Sequence, residues 1–191
     1  MLMVTLSEQE LVRRSKLEAL KKLAINPYPA ALYPVDFFAS SLPKAYEEGK
    51  KVVVAGRIMS RRIQGKASFA ELLDPTGKIQ LYLNRDEMCS GEDKTLYNQV
   101  YKKLLDIGDI IGVEGTLFTT KVGQMSINVN QLTVLNKSLK PLPLPKTDSE
   151  GNTYDEFNDP EQRYRQRYVD LIVNPKVKDT FLKRTQITNE I

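Results

Sequence analysis

Phe69 and Glu71 alternate with Ala70 and Leu72, and further on Lys78, Gln80, Tyr82 and Asn84 alternate with Ile79, Leu81 and Leu83. Successive strand side chains point to opposite faces, so the apolar set marks a core face and leaves Phe69, Gln80 and Tyr82 on the polar one. An exposed ring beside amides and cations suits single-stranded nucleic acid, because bases stack on rings and their edges take directional hydrogen bonds. Arg57, Arg61, Arg62 and Lys66 bring cations close to this face, and Gln124, Ser126, Asn128 and Asn130 alternate with Met125, Ile127 and Val129 as a second polar row. The same alternation also fits a Phe69 that is covered by a loop. A bulge at Gly56 would place Arg62 on either face.

Other chemistries are closed off by composition. The chain has no histidine, which removes Ser-His-Asp catalysis and every His-containing metal motif. Its single cysteine, Cys89, forms no internal disulfide and reads as a buried or incidental thiol. No Gly-rich phosphate loop occurs, and no catalytic or metal-binding residue is assigned. The apolar runs fall far short of the roughly 20 residues a membrane span needs. MLMVTLSEQE lacks the features of a signal peptide, so a cytoplasmic chain without membrane association is expected. A net charge of +4 with a pI near 9.0 is compatible with a polyanionic partner.

These side chains need a frame. Residues 51–135 hold five β-rich segments, KVVVAGRIMSR, KASFAELLD, KIQLYLN, IIGVEGTLFTT and QMSINVNQLTVL, with turns at Gln64-Gly65, Asp74–Gly77 and Lys121–Gly123. Between the third and fourth, Leu96, Val100, Tyr101 and Leu104 recur at helical spacing, predicting a helix over Thr95–Leu105. The order β-β-β-α-β-β is that of a five-stranded OB-fold Greek-key barrel, whose second and third strands form its usual binding surface; other small barrels share it. The expected chain is therefore mainly β. Before it, Ser7–Glu10 fits a capping box opening a helix to about Leu23, which carries Arg13, Arg14, Lys16, Lys21 and Lys22 as a backbone-binding or merely solvated face. A second short helix is expected over Leu42–Glu48.

After Leu135 a Pro-rich, then polar stretch reads as a linker. Asp159-Pro160 then opens a helix through EQRYRQRYVDLI, and Asn174-Pro175 ends it and starts another, with Val177, Phe181, Arg184 and Thr188 on one stripe and no cap before Ile191. The expected organisation is an N-terminal helical extension (1–50), the barrel (51–136), a linker (137–158) and a C-terminal helical segment (159–191).

Gly65-Lys66-Ala67-Ser68-Phe69, Asp74 and Gly77-Lys78-Ile79-Gln80-Leu81-Tyr82 resemble the anticodon-binding OB domain of class II lysyl-tRNA synthetases. Lys137–Pro143 resembles that family's exit from the barrel, and Arg163-Tyr164-Arg165-Gln166-Arg167-Tyr168-Val169-Asp170-Leu171 its most specific element here. The aspartyl and asparaginyl enzymes share the barrel and a shorter form of the last element; the fuller RYRQRYVDL favours lysine.

The resemblance implies that Phe69 stacks on the central anticodon uracil, with Arg62 and Gln80 bonded to its edge. It implies that Gln124 reads a neighbouring uracil, although the family usually has glutamate there, which when ionised only accepts. Arg13, Arg14, Lys21 and Lys66 are the candidate contacts to the tRNA backbone. Phe181, Arg184 and Ile187 look like the opening of the first class II motif, which builds a homodimer interface, so 159–191 would be the truncated start of a catalytic domain. The later motifs for ATP, Mg2+ and lysine have no counterpart, so ATP and Mg2+ are implied for the whole enzyme and no cofactor for this chain. The implied partner is the tRNA(Lys) anticodon stem-loop. The alternatives are a general single-strand-binding OB protein, an aspartyl- or asparaginyl-type domain, and a truncated paralogue serving as a protein-interaction module.

Overall fold

The computed structural model describes residues 6–147, 153–154 and 157–191. The central part of the expected linker, 148–152 and 155–156, and the first five residues of the N-terminal segment lie outside the described residues. The chain forms two compact units, Met1–Pro141 and Leu142–Ile191.

In the first unit, helix α1 (Glu8–Lys22) starts at a complete capping box: the Ser7 hydroxyl accepts from the Glu10 N–H and the Glu10 carboxylate accepts from the Ser7 N–H. Five strands follow, β1 (Lys51–Gln64), β2 (Ala67–Leu73), β3 (Lys78–Asn84), β4 (Ile110–Thr119) and β5 (Met125–Asn136). They close into a barrel in the order β1-β2-β3-β5-β4, with β3 and β5 parallel and the other pairs antiparallel. This is the expected OB barrel. β1 is long enough to serve two neighbours, pairing with β4 through Arg57 and with β2 from Arg57 onward.

The barrel interior is filled by the alternate apolar residues of each strand, among them Ile58, Leu72, Leu81, Ile111, Leu117 and Ile127. Tyr97, Val100 and Tyr101 add to this core from between β3 and β4, where a short helix α2 (Arg85–Met88) precedes the segment Leu96–Leu104. That segment is helical as expected, but its hydrogen bonds follow the wider π pattern, as in Leu105 N–H to Val100 O at 2.9 Å. The wider turn lets Tyr97 and Tyr101 both enter the core with ring centroids 5.7 Å apart.

Three expectations fail. Leu42–Glu48 is not a helix but a run of turns: Pro43 has no N–H to extend the bonding begun at Ser41 and Leu42, and the Asp74 carboxylate holds the preceding turn through the Ala39 N–H at 2.6 Å. The bulge in β1 lies at Met59, between Ile58 and Ser60, whereas Gly56 pairs in register with Ile111 and is a close-approach glycine, since a Cβ there would sit 2.6 Å from the Leu73 carbonyl oxygen. The third lies in the second unit, where one helix becomes two, α3 (Pro160–Arg165) and α4 (Arg167–Val173), broken at Gln166.

The break lets Arg163 and Arg167 converge on the buried Asp170, which also accepts from Asn174. Asp159 caps α3 with Pro160 at its first position. Helix α5 (Pro175–Glu190) buries none of its residues; a two-stranded β6 (Lys146–Thr147) and β7 (Thr153–Tyr154) completes the unit. No helix of the described residues is long and apolar enough to cross a membrane.

Candidate nucleic-acid interface

Strand pairing sets two rows across the outer face of β1, β2 and β3. In one row Arg62 stands opposite Phe69, and Phe69 opposite Tyr82. In the other, Ser60, Glu71 and Gln80 are neighbours, and Gln80 pairs onward with Ser126 of β5. Between these rows lies an open cleft of about 290 Å³, lined by Arg62, Phe69, Glu71, Lys78, Gln80 and Gln124 among others. All four base-reading candidates, Arg62, Phe69, Gln80 and Gln124, thus border one cavity.

Phe69 is half-buried and faces away from the core, with its ring 5.2 Å from that of Tyr82 and the Arg62 guanidinium 5.6 Å from its centroid. A cation over a ring face is attracted by the ring quadrupole, so Arg62 is held against the Phe69 ring. Tyr82 in turn meets Phe118 edge-on at 5.8 Å. Lys78 and Glu71 pair at 2.7 Å on the cleft wall. Gln80 donates from Nε2 to the Ser126 hydroxyl at 3.0 Å. Gln124 is exposed at the rim, and its backbone carbonyl accepts from the Thr120 N–H at 2.9 Å and from the Ser126 hydroxyl at 3.3 Å.

The other cations separate into two groups. Arg14, Lys21 and Lys66 are exposed, with Lys21 paired to Glu18 at 2.8 Å. Arg13 is not: it is only 8% exposed and its guanidinium donates to the Ser138 and Ile107 carbonyls, so it fastens α1 to the barrel instead of facing solvent. Arg57 and Arg61 also donate to backbone carbonyls, those of Gly108 at 2.6 Å and Tyr101 at 2.8 Å. Burial pushes the Arg57 guanidinium below its usual value, partly offset by Asp109. Ser126 leaves the expected exposed row as well, being fully buried beneath Gln80.

Sequence reasoning missed the ionic cluster that holds the frame. Lys137, fully buried, donates to Asp106 at 2.7 Å and to Asp109 at 2.9 Å, and Lys16 of α1 reaches Asp106 at 2.5 Å. A lysine after the last strand carries no signal of burial; only the nearby pair Asp106 and Asp109 hinted at a partner. Among the described residues no group of three or more His, Cys, Asp or Glu side chains is placed to hold a metal ion.

Comparison with known proteins gives a matching family model, described as an OB-fold nucleic acid binding domain, over residues 52–135. The chain is 65% identical over 187 residues to a lysine–tRNA ligase from Christiangramia forsetii, a match covering 98% of this chain and 33% of that protein. It is 52% identical over 191 residues to a lysine–tRNA ligase from Porphyromonas gingivalis (97% of this chain, 33% of the relative). A lysine–tRNA ligase from Azobacteroides pseudotrichonymphae is 54% identical over 189 residues (97% and 38%). The chain spans about a third of the length of these curated relatives.

Proposed function

We propose, starting from a barrel that matches the model of OB-fold nucleic acid binding domains over residues 52–135, that this chain is the anticodon-binding part of a lysine–tRNA ligase. Its ligand is then the anticodon stem-loop of tRNA(Lys). Phe69 stacks on the central uracil, Arg62 and Gln80 bond its edge, and Gln124 meets a neighbouring base. Arg14, Lys21 and Lys66 are the exposed cations left for the tRNA backbone. The observation that supports this most is the meeting of Arg62, Phe69, Gln80 and Gln124 around one cleft, on a chain that matches lysine–tRNA ligases along nearly its whole length.

In the whole protein the module would serve a cytoplasmic, homodimeric enzyme that activates lysine with ATP and Mg2+ and transfers it to tRNA. Residues 159–191 would open the catalytic domain. The chain by itself is expected to show no lysine-dependent pyrophosphate exchange; exchange above a mock preparation would refute that division of labour.

Binding titrations at one fixed salt concentration test the reading. Phe69→Ala should weaken binding of the lysine anticodon stem-loop about 5–150-fold, the equivalent of ~1–3 kcal/mol of base–aromatic stacking. The barrel should survive, since the Phe69 ring lies outside the core. A wild-type chain that binds central-base-substituted stem-loops equally well would be a general single-strand binder instead.

A further inference from the structure

Ser126 has one hydroxyl proton, and two neighbours compete to define its direction. The hydroxyl lies 3.3 Å from the Gln124 carbonyl oxygen, which can only accept, and 3.0 Å from the Gln80 amide. If the proton goes to Gln124, the Ser126 oxygen has only lone pairs left for Gln80. Gln80 must then present Nε2 to it, and its Oε1 is left for the cleft. Ser126 is 0% exposed, so water does not compete for the same proton at this point.

From this relay we propose that Ser126 is a positioning residue that fixes the Gln80 amide with its acceptor toward the bound base. The inference rests on the reading given under Proposed function. Uracil presents an N–H between two carbonyl oxygens on its pairing edge, whereas cytosine presents a bare ring nitrogen beside an amino group. An Oε1 aimed into the cleft accepts from the uracil N–H but faces a lone pair on cytosine. A turned amide would offer Nε2 to that lone pair and suit cytosine. Which pairing edge Gln80 suits therefore depends on which end of its amide is held, and the buried serine holds it. The relay also ties Gln80 to the β4–β5 turn, whose Gln124 carbonyl sets the hydroxyl direction.

The test is a double-mutant cycle read on selectivity. Ser126→Ala should lower the preference of the chain for uracil over cytosine at the central anticodon base by about three- to tenfold, the worth of one neutral hydrogen bond. In a Gln80→Ala background the same change should leave selectivity unaltered, because serine acts only through that amide. Ser126→Thr, which keeps the hydroxyl, should retain selectivity. Side-chain amide spectra of wild-type protein give a readout independent of RNA: the Gln80 Nε2 protons should show contacts to the Ser126 methylene. If wild type and Gln80→Ala differ in selectivity but Ser126→Ala matches wild type, the positioning role is overturned and the anticodon reading stands. Equal losses from Ser126→Ala in both backgrounds would reduce it to a structural serine and overturn the proposal. A wild type with no selectivity at all overturns both.

Discussion

Replacing Lys137 by Met removes a fully buried cation that two carboxylates share, and its cost follows from what each carboxylate keeps. Asp109 is itself 0% exposed and loses Nζ contacts at 3.0 and 2.9 Å, but retains the N–H groups of Asp106 at 2.7 Å and Ser138 at 2.8 Å. Asp106 keeps Lys16. Breaking a buried pair from one side costs ~3–5 kcal/mol, and the retained bonds place this case at the lower end, ~3 kcal/mol. Lys16→Met removes a partly exposed partner from the same cluster and should cost only ~0.5–1 kcal/mol. Urea titration followed by the amide resonances of Val113 and Ile127 isolates the barrel; with a slope near 2 kcal/mol/M, Lys137→Met should lower the midpoint by about 1.5 M.

The pH dependence gives a second sign to check. Burial holds the Asp109 carboxyl above its ordinary value, partly offset by Lys137. A folded-state value raised above the unfolded one means that proton uptake favours the fold as pH falls. Without Lys137 the offset is gone, so the deficit of Lys137→Met should shrink as the pH is lowered from neutrality. A deficit no larger than that of Lys16→Met, or one that grows on acidification, would refute the reasoning.

Gly115→Ala should destabilise the barrel by more than ~2 kcal/mol, because its Cβ would lie 2.2 Å from the Asn128 carbonyl oxygen and that backbone cannot give way cheaply. Gly65→Ala meets open space but keeps φ at +61°, so it should cost only ~1 kcal/mol; the order of the two melting temperatures checks both. Hydrogen exchange should be fast along α5, which buries no residue, and slow in β4 and β5; equal protection would contradict the burial pattern.

Much of this frame was legible because strand and helix-end signals are local. The capping box at Ser7–Glu10 and the period-two alternation of β2 and β3 depend on neighbours a few residues apart, and both appear as the sequence implies. What could not be read depends on partners far along the chain. Arg13, Arg57 and Arg61 look like the exposed cations around them, yet each is drawn to a carbonyl of a distant segment. Ser126 looks like Asn130, yet Gln80 bonds the buried one, while the other is exposed and left without a β4 partner by the register shift between Glu114 and Gly115.

Arg62 shows how a single irregularity decides the site. Val52, Val54 and Ile58 point into the barrel, so strict alternation would carry Ser60 and Arg62 inward and leave Arg61 outside with Phe69. The extra residue at Met59 inverts that phase. Beyond it Ser60 falls opposite Glu71 and Arg62 opposite Phe69, both on the outer face, while Arg61 takes the position from which it reaches the Tyr101 carbonyl. Sequence alternation alone left Arg62 on either face because a bulge has no composition of its own; Met59 is an ordinary strand residue. The cation that sits over the Phe69 ring is therefore chosen by a backbone count made three residues earlier. Under the proposed reading, a base on that ring would meet a guanidinium because β1 carries one residue more than β2 can pair.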